Sequence, residues 1–428
     1  MKFKNKKLLI LAGAGPHCKV VETAKEMGIY TIVADYLPSS AYAPAKLIAD
    51  ENLLCDISDT RKLVEYCITN NVDGVLGFCI DPAQRPAFEI ADQLGIRTFG
   101  SYEQVLALTD KTVFKQLCRD NGVDVVPEYE ESSIETIEYP VLVKPIDSRG
   151  SRGAKVCYNR NELLEALPLA KKESSNGGAI VEKYMGNNQD LTITYIVKDS
   201  IPYLISIGDR FPGRKEDNLD RQNSCVVQPS RYTDMYLKNV NSRVINMIKN
   251  LGIKNGPVFM QGFVDGNTVR MYDPGIRIPG NEYERIYKQA TGLDPMKSII
   301  SYIIGGEIFD YDGKIRGSYN LNGMTAIQYM INVGPGKINS FEGLEKIAEH
   351  PNVINVQQRH FIGDVIENTG DIKHRAGEIS ILVDRDAEKM ADIIKYIQSC
   401  LKITDETGVS MIISPISADF IYQTYSLV

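Results

Sequence analysis

The sequence predicts an α/β protein: a parallel-sheet domain, a larger strand-rich region with intervening helices, and an α+β C-terminal region. Three observations carry this. From Lys7 to about Leu108, apolar strand-like runs alternate with amphipathic helical ones, the pattern of a parallel sheet covered on both faces. From residue 140 onward strand-like runs recur, several of them joined by short turns as in hairpins. Near the C-terminus, GEISILVDRDAEKMADIIKYIQSC reads as one strand followed by one helix. The boundaries read from these patterns are 1–108, 109–310 and 311–428.

The composition fits such a chain. At 428 residues, with 43% hydrophobic and 24% charged residues, it has the length for two or three domains and the balance of a soluble globular protein. A net charge of −7 argues against a general binder of nucleic acid or anionic membrane. No apolar run approaches the roughly 20 residues that span a bilayer. The opening MKFKNKKLLILAGAG imitates a signal peptide, but its apolar part is only about six residues and runs into a helical pattern without a cleavage site. It is read as a first strand. The eight cysteines are scattered without a CxxC pair and read as reduced core residues of a cytoplasmic protein.

The elements follow in order. KKLLILAGAG is a strand entering a glycine turn, and HCKVVETAKEMG is a helix closed by Gly28. YTIVADY, DGVLGFC, TRKLVEYCITNN and PAFEIADQLG supply two more strands and two more helices. Gly13 and Gly15 before a helix resemble a dinucleotide turn, but the third glycine is missing. Asp35 ends the second strand, where a ribose-binding acid also fits, and is read as the brace of a tight turn and a helix cap. His17 is read as a helix-start histidine. Residues 109–129 open with a helix that Thr109 caps and that stops near Gly122. After about Ile308 the chain becomes glycine-rich at GKIRGSYNLNG and returns to strands at MTAIQYMINV. His374, in that last region, is given no role.

The chemistry concentrates in three segments. In PVLVKPIDSRGSRG a buried strand fixes Lys144 beside a loop, Asp147 to Gly153, with little bulk at Gly150, Ser151 and Gly153. Its backbone N–H groups can approach an anion closely, and a fixed lysine beside such a cradle suits a polyphosphate. AKVCYN alternates like a second strand, so the loop caps a hairpin, and a plain glycine-rich hairpin is the competing reading. In GAIVEKYMGNNQDLTITYIV a strand end can offer backbone groups to an adenine edge, with Met185 on the ring and Asp190 on the ribose hydroxyls. By itself this segment reads rather as a hairpin with two solvated carboxylates, Glu182 and Asp190.

The third segment, GPVFMQGFVDGNTVRMYDPGIRIPG, has two strands flanking Asp265-Gly266-Asn267. A three-residue loop there sets Val264 opposite Thr268 and Gln261 opposite Met271. Asp273 then lies diagonal to Gln261, about 7–8 Å away, a spacing at which two oxygen-bearing side chains can share one or two Mg²⁺ ions. Arg277 follows in a turn braced by proline and glycine, and its fork suits a carboxylate or phosphate. Arg210, Arg214 and Arg221, in DRFPGRKEDNLDRQ, read as residues of a solvated polar loop.

In this order the pieces resemble the ATP-grasp superfamily, in its biotin-carboxylase and carboxylate–amine ligase branch, over nearly the whole chain. The resemblance implies an ATP-grasp fold preceded by a Rossmann-like pre-ATP-grasp domain. It implies ATP and Mg²⁺, or Mn²⁺ in its place, and an enzyme that phosphorylates a carboxylate for attack by an amine. By this resemblance Lys111 and Lys144 hold the α/β-phosphates, and Gly150, Ser151 and Gly153 form a lid. Glu182, Lys183, Tyr184 and Met185 make the adenine hinge, with Phe263 as its other wall and Asp190 on the ribose. Gln261 and Asp273 would hold the metal, and Arg277 the carboxylate or the acyl phosphate. The family usually carries two glutamates and the pattern NPR here; Gln261, Asp273 and Gly275 depart from it, which weakens the protein's own grip on Mg²⁺. That departure keeps open a non-catalytic nucleotide-binding protein, and a carboxylate kinase or carboxylate–thiol ligase also stays open. The implied partners are a small carboxylate and an amine, with a homodimer, and neither nucleic acid nor membrane.

Overall fold

The computed structural model describes residues 3–130, 136–146, 153–174, 177–220, 222–280, 283–309 and 313–426. The first sheet is wholly parallel, as the alternation requires. Its strands lie in the order Glu51–Leu54, Tyr30–Asp35, Lys7–Leu11, Gly74–Gly77. Period-two alternation decides which face each side chain serves. Leu8 and Ile10 join Val20, Val21 and Ala24 of the helix His17–Glu26. Leu9 and Leu11 face the other way, onto Leu63, Cys67 and Ile90 of the helices Thr60–Asn70 and Gln84–Gln93. All four strand residues are fully buried, each contributing up to roughly 1.5–3 kcal/mol. The helix Pro295–Gly305, far down the chain, covers the first face through Met296, Ile299, Ile300 and Ile303. The strand Glu51–Leu54 and the helix Pro44–Ile48 escape the sequence reading, because ENLL is a half-exposed edge strand without an apolar run.

The central sheet is antiparallel and has eight strands. Their order is Thr268–Gly275, Gly256–Asp265, Asp190–Lys198, Ile201–Pro212, Asn223–Gln228, Met324–Asn332, Arg375–Asp384, Val353–Gln358. Strands from both sides of residue 310 therefore share one sheet. Its first half packs on the helices Lys111–Asp120 and Asn241–Leu251 through Ile193, Tyr195, Phe114 and Met247, and its second half on Ala387–Cys400 through Ile379, Ile381 and Ile394. A third sheet, Glu128–Tyr129, Ala179–Lys183, Val141–Pro145, Lys155–Cys157, carries the helix Arg160–Glu173. Val143 pairs antiparallel with Lys155, so the strands Val141–Pro145 and Lys155–Cys157 are the two arms of the expected hairpin.

Three local readings are corrected. The cap of the helix Lys111–Asp120 is Asp110, whose carboxylate accepts from the N–H groups of Thr112 and Val113; the Thr109 hydroxyl instead donates back to the Val105 carbonyl. The hairpin at 265–268 has a two-residue turn, since Asp265 pairs with Thr268 and Val264 with Val269. A register shift between Gln261 and Gly262 then brings Asp273 directly opposite Gln261, where an unbroken ladder from that turn would put Tyr272. Arg210 lies in the strand Ile201–Pro212 and not in a solvated loop.

Candidate functional site

Lys144 is the fourth residue of its strand, and the Leu142 position on that strand pairs with Glu182. Its Nζ donates to Glu182 Oε1 at 2.6 Å. Lys115, on the buried face of the helix Lys111–Asp120, donates to Glu182 Oε2 at 2.7 Å and to Glu128 Oε1 at 2.9 Å. Glu182 is thus neither a solvated hairpin carboxylate nor an open adenine contact; it is buried and bridges two ammoniums. Burial alone raises its carboxyl pKa, but Lys144 and Lys115 outweigh that and hold it below the ordinary range. Burial pulls the Lys144 ammonium down against the attraction of Glu182. Lys144 also lies 5.7 Å over the ring of Tyr272.

Tyr272 ties that cluster to the next. Its hydroxyl donates to both carboxylate oxygens of Asp190 at 3.1 Å, and Arg210 Nη1 reaches Asp190 Oδ2 at 2.5 Å from the directly opposite position on the adjoining strand. Burial raises the Asp190 carboxyl to about 6, more than Arg210 and Tyr272 lower it. Phe263 stacks on Tyr272, centroids 4.8 Å apart and planes 21° from parallel.

Asp273 sits beyond Tyr272 on the same strand. Its Oδ1 is 3.2 Å from Lys111 Nζ, and Gln261 is its cross-strand partner. Among the described residues no group of three or more His, Cys, Asp or Glu side chains could hold a metal. One carboxylate and one amide oxygen fit Mg²⁺ that brings most of its ligands on nucleotide phosphates, not a cage made by protein alone. Arg277 lies further along, 4.8 Å over the Phe259 ring, with Nε donating to Asp81 Oδ1 at 2.6 Å. Asp81 belongs to the first region, so this pair joins the parallel-sheet domain to the site.

Of the remaining expected residues, Met185 is buried and Lys183 exposed. The Lys183 and Tyr184 N–H groups already donate to the carbonyls of Pro127 and Pro140, at 2.9 and 3.2 Å, so an adenine edge must be met by other backbone groups. Gly153 has φ +67°, a left-handed conformation that favours glycine; Gly150, Ser151 and Arg221 lie outside the described residues. Arg214 is exposed and pairs with Asp217. Asp35 braces the glycine turn, accepting from Gly13 N–H and Leu37 N–H, both at 2.7 Å. His17 is buried against the Ala14 and Phe78 carbonyls, and burial lowers its pKa to about 4. His374 staples Val333 to Thr369.

Sequence reasoning misses Lys115, Tyr272, Asp81 and the role of Arg210. A signal exists for Lys115, four residues after Lys111 on one helix face with Phe114 and Cys118 around it. Tyr272 and Arg210 become visible only with the strand register.

The chain is similar to several known proteins. Residues 110–268 match the family described as carbamoyl-phosphate synthase L chain, ATP binding domain. The small subunit of 2-oxoglutarate carboxylase from Hydrogenobacter thermophilus is 26% identical over 247 residues, 52% of this chain and half of that one. Dapdiamide A synthase from Enterobacter agglomerans is 19% identical over 368 residues, 83% of this chain and 84% of its own. Among solved structures, an L-amino acid ligase from Bacillus licheniformis superposes with a TM-score of 0.76 at 19% identity, covering 94% of this chain and 99% of that one. The biotin carboxylase domain of the Hydrogenobacter thermophilus enzyme, solved with MgADP and bicarbonate, gives 0.74 at 20% identity over 93% of this chain and 90% of that one.

Proposed function

We propose that the chain is an ATP-dependent ligase of the ATP-grasp superfamily that joins a carboxylate to an amine through an acyl phosphate, a reading supported by the match of residues 110–268 to an ATP-binding domain family. The observation that supports this best is the continuity of the charged groups. Lys111 meets Asp273, Asp273 adjoins Tyr272, and Tyr272 touches Asp190 and underlies Lys144. Two lysines and two acids on four elements thus line one connected tract.

In this reading Lys111 and Lys144 bind the α/β-phosphates, and the hairpin ending at Gly153, with Gly150 and Ser151 in its loop, covers them. The strand end at Lys183 to Met185 with Phe263 receives the adenine, with Glu182 holding Lys144, and Asp190 receives the ribose. Asp273 with Gln261 would hold Mg²⁺, which supplies neutralisation of phosphate charge when bound; Mn²⁺ accepts the same oxygen donors. Arg277, seated on Phe259 and braced by Asp81, orients the carboxylate. A carboxylate oxygen attacks the γ-phosphorus, the bond to the β-phosphate oxygen breaks and ADP leaves. The amine nitrogen then attacks the acyl carbon, orthophosphate departs and the nitrogen loses a proton. Such steps need positioning and charge neutralisation more than a protein nucleophile.

Glutamine at 261 and the Lys111 ammonium on Asp273 favour a second reading, a nucleotide-binding protein without turnover. Orthophosphate release from Mg-ATP that requires a carboxylate and an amine together selects the ligase. Nucleotide binding without release, across amino acids and sugar acids, selects the other. A cytoplasmic homodimer is the assembly proposed; no described helix is long and apolar enough to cross a membrane.

A further inference from the structure

The strands Val353–Gln358 and Arg375–Asp384 are neighbours, with Gln358 opposite Gly377. Beside that contact Glu378, 5% exposed, accepts from Arg359 Nη2 at 2.8 Å and from Arg375 Nη1 at 3.0 Å. Two guanidiniums on one carboxylate leave a surplus positive charge in a buried place. The Nε–H groups of both arginines are buried and meet no acceptor among the described residues. Native interiors leave few donors in that state, and two on adjoining arginines point to a missing shared acceptor.

The surroundings locate this acceptor next to the site. Gln357, 8% exposed, presses its amide on Gly15, where an added Cβ would lie 2.1 Å from Nε2; its Oε1 also lacks a partner. The first N–H groups of the helix His17–Glu26 already bond to Ala14 and Gly15, so the arginines supply the open donors, not the helix end. Gln357 touches Gly15, two residues before His17, and the His17 imidazole meets the carbonyl of Phe78, the neighbour of Cys79. Arg375 is opposite Asn332, whose amide donates to the carbonyl of Asn223 on the strand paired with that of Arg210. The pair therefore lies between the glycine turn of the first sheet and the strands next to the one that carries Arg210.

We infer that Arg359 and Arg375 bind a second carboxylate of a substrate, one that is not phosphorylated. The inference deepens the ligase reading and rests on it. An Nε–H beside an Nη–H presents a side-on fork that fits the two oxygens of a carboxylate. A single surplus charge suits a monoanion better than a doubly charged phosphate. The carboxylate belongs to an amino acid entering as the amine, or to the far end of a dicarboxylate entering as the acid.

Two competition arms distinguish these sources. The full-length enzyme with Mg-ATP and pooled L-amino acids is offered each amine as the free amino acid and as its α-carboxamide, with products weighed by mass spectrometry. In the second arm mono- and dicarboxylates compete as the acid. A tenfold or greater preference for the carboxylate-bearing partner in one arm is expected, with Arg375→Gln raising its KM by about tenfold or more and the KM of ATP staying within twofold. Arg375→Lys should recover part of the loss. Equal use in both arms, an unchanged KM in Arg375→Gln, or preference for O-phosphoamino acids overturns the assignment. If no pair turns over, saturation-transfer NMR with Mg-ADP decides: selective binding of the free acids, lost in Arg375→Gln, supports the site, and equal or absent binding overturns it. Calorimetric ATP binding, read separately, identifies failure of the ligase reading itself.

Discussion

Replacing Glu182 with glutamine tests the buried cluster that holds Lys144. The carboxylate accepts from Lys115 at 2.7 Å and from Lys144 at 2.6 Å, with all three side chains at most 8% exposed. An amide oxygen can serve one ammonium, and its NH₂ then faces the other. Lys115 keeps Glu128 at 2.9 Å, whereas Lys144 has no other carboxylate within ion-pair distance among the described residues. Stranding a buried charge in this way costs about 3–5 kcal/mol. The loss should shrink as pH rises. Lys144 already titrates low because of burial, and without Glu182 its folded pKa falls further below the unfolded value. The unfolded chain then binds more protons, so the stability of Glu182→Gln climbs with pH between those two pKa values. Urea unfolding followed by far-UV circular dichroism at pH 7 and pH 9 reads both effects. A loss below about 1 kcal/mol at pH 7, unchanged at pH 9, would refute the bridging role.

Three further outcomes follow from the same geometry. Lys144→Ala leaves Glu182 paired with Lys115, so the fold should survive while ATP affinity drops by about 1.5–3 kcal/mol; calorimetric affinity within twofold of wild type removes Lys144 from the phosphate site. Gln261→Glu should raise apparent Mg²⁺ affinity at fixed ATP, and Asp273→Asn should lower it and abolish most orthophosphate release; wild-type Mg²⁺ dependence in Asp273→Asn puts the metal elsewhere. His17 is held at about 4 by burial, below its ordinary 6.5, so between those values the unfolded chain alone takes up the proton and stability falls as pH drops. The full effect is about 3 kcal/mol, and stability curves from pH 7 to 4 should be flatter by that amount in His17→Asn; parallel curves count against a buried neutral imidazole.

The parallel sheet was legible because Leu8 to Leu11 form an unbroken apolar run between glycine turns, and the period of the following helix is plain. The site was legible as a series of short motifs, since strand ends and turns announce where Lys144, Asp190 and Asp273 fall. What joins those motifs was not. The two-residue turn and the register shift at Gln261 differ by one residue from a three-residue loop, and no propensity separates them. Glu182 read as solvated because its partners, Lys115 and Lys144, lie 67 and 38 residues away. Arg359 and Arg375 carried no signal at all, being ordinary charged residues until adjacent strands bring them to one carboxylate.

Isotope transfer tests the acyl-phosphate account most directly. Pooled L-amino acids labelled with ¹⁸O in the carboxylate are incubated with the enzyme and Mg-ATP, and the released phosphate is analysed by mass spectrometry. The carboxylate oxygen that attacks the γ-phosphorus stays with that phosphorus when the amine displaces it. The account predicts ADP together with orthophosphate carrying one ¹⁸O atom. AMP with pyrophosphate, or orthophosphate that stays unlabelled while the amide product forms, would contradict it.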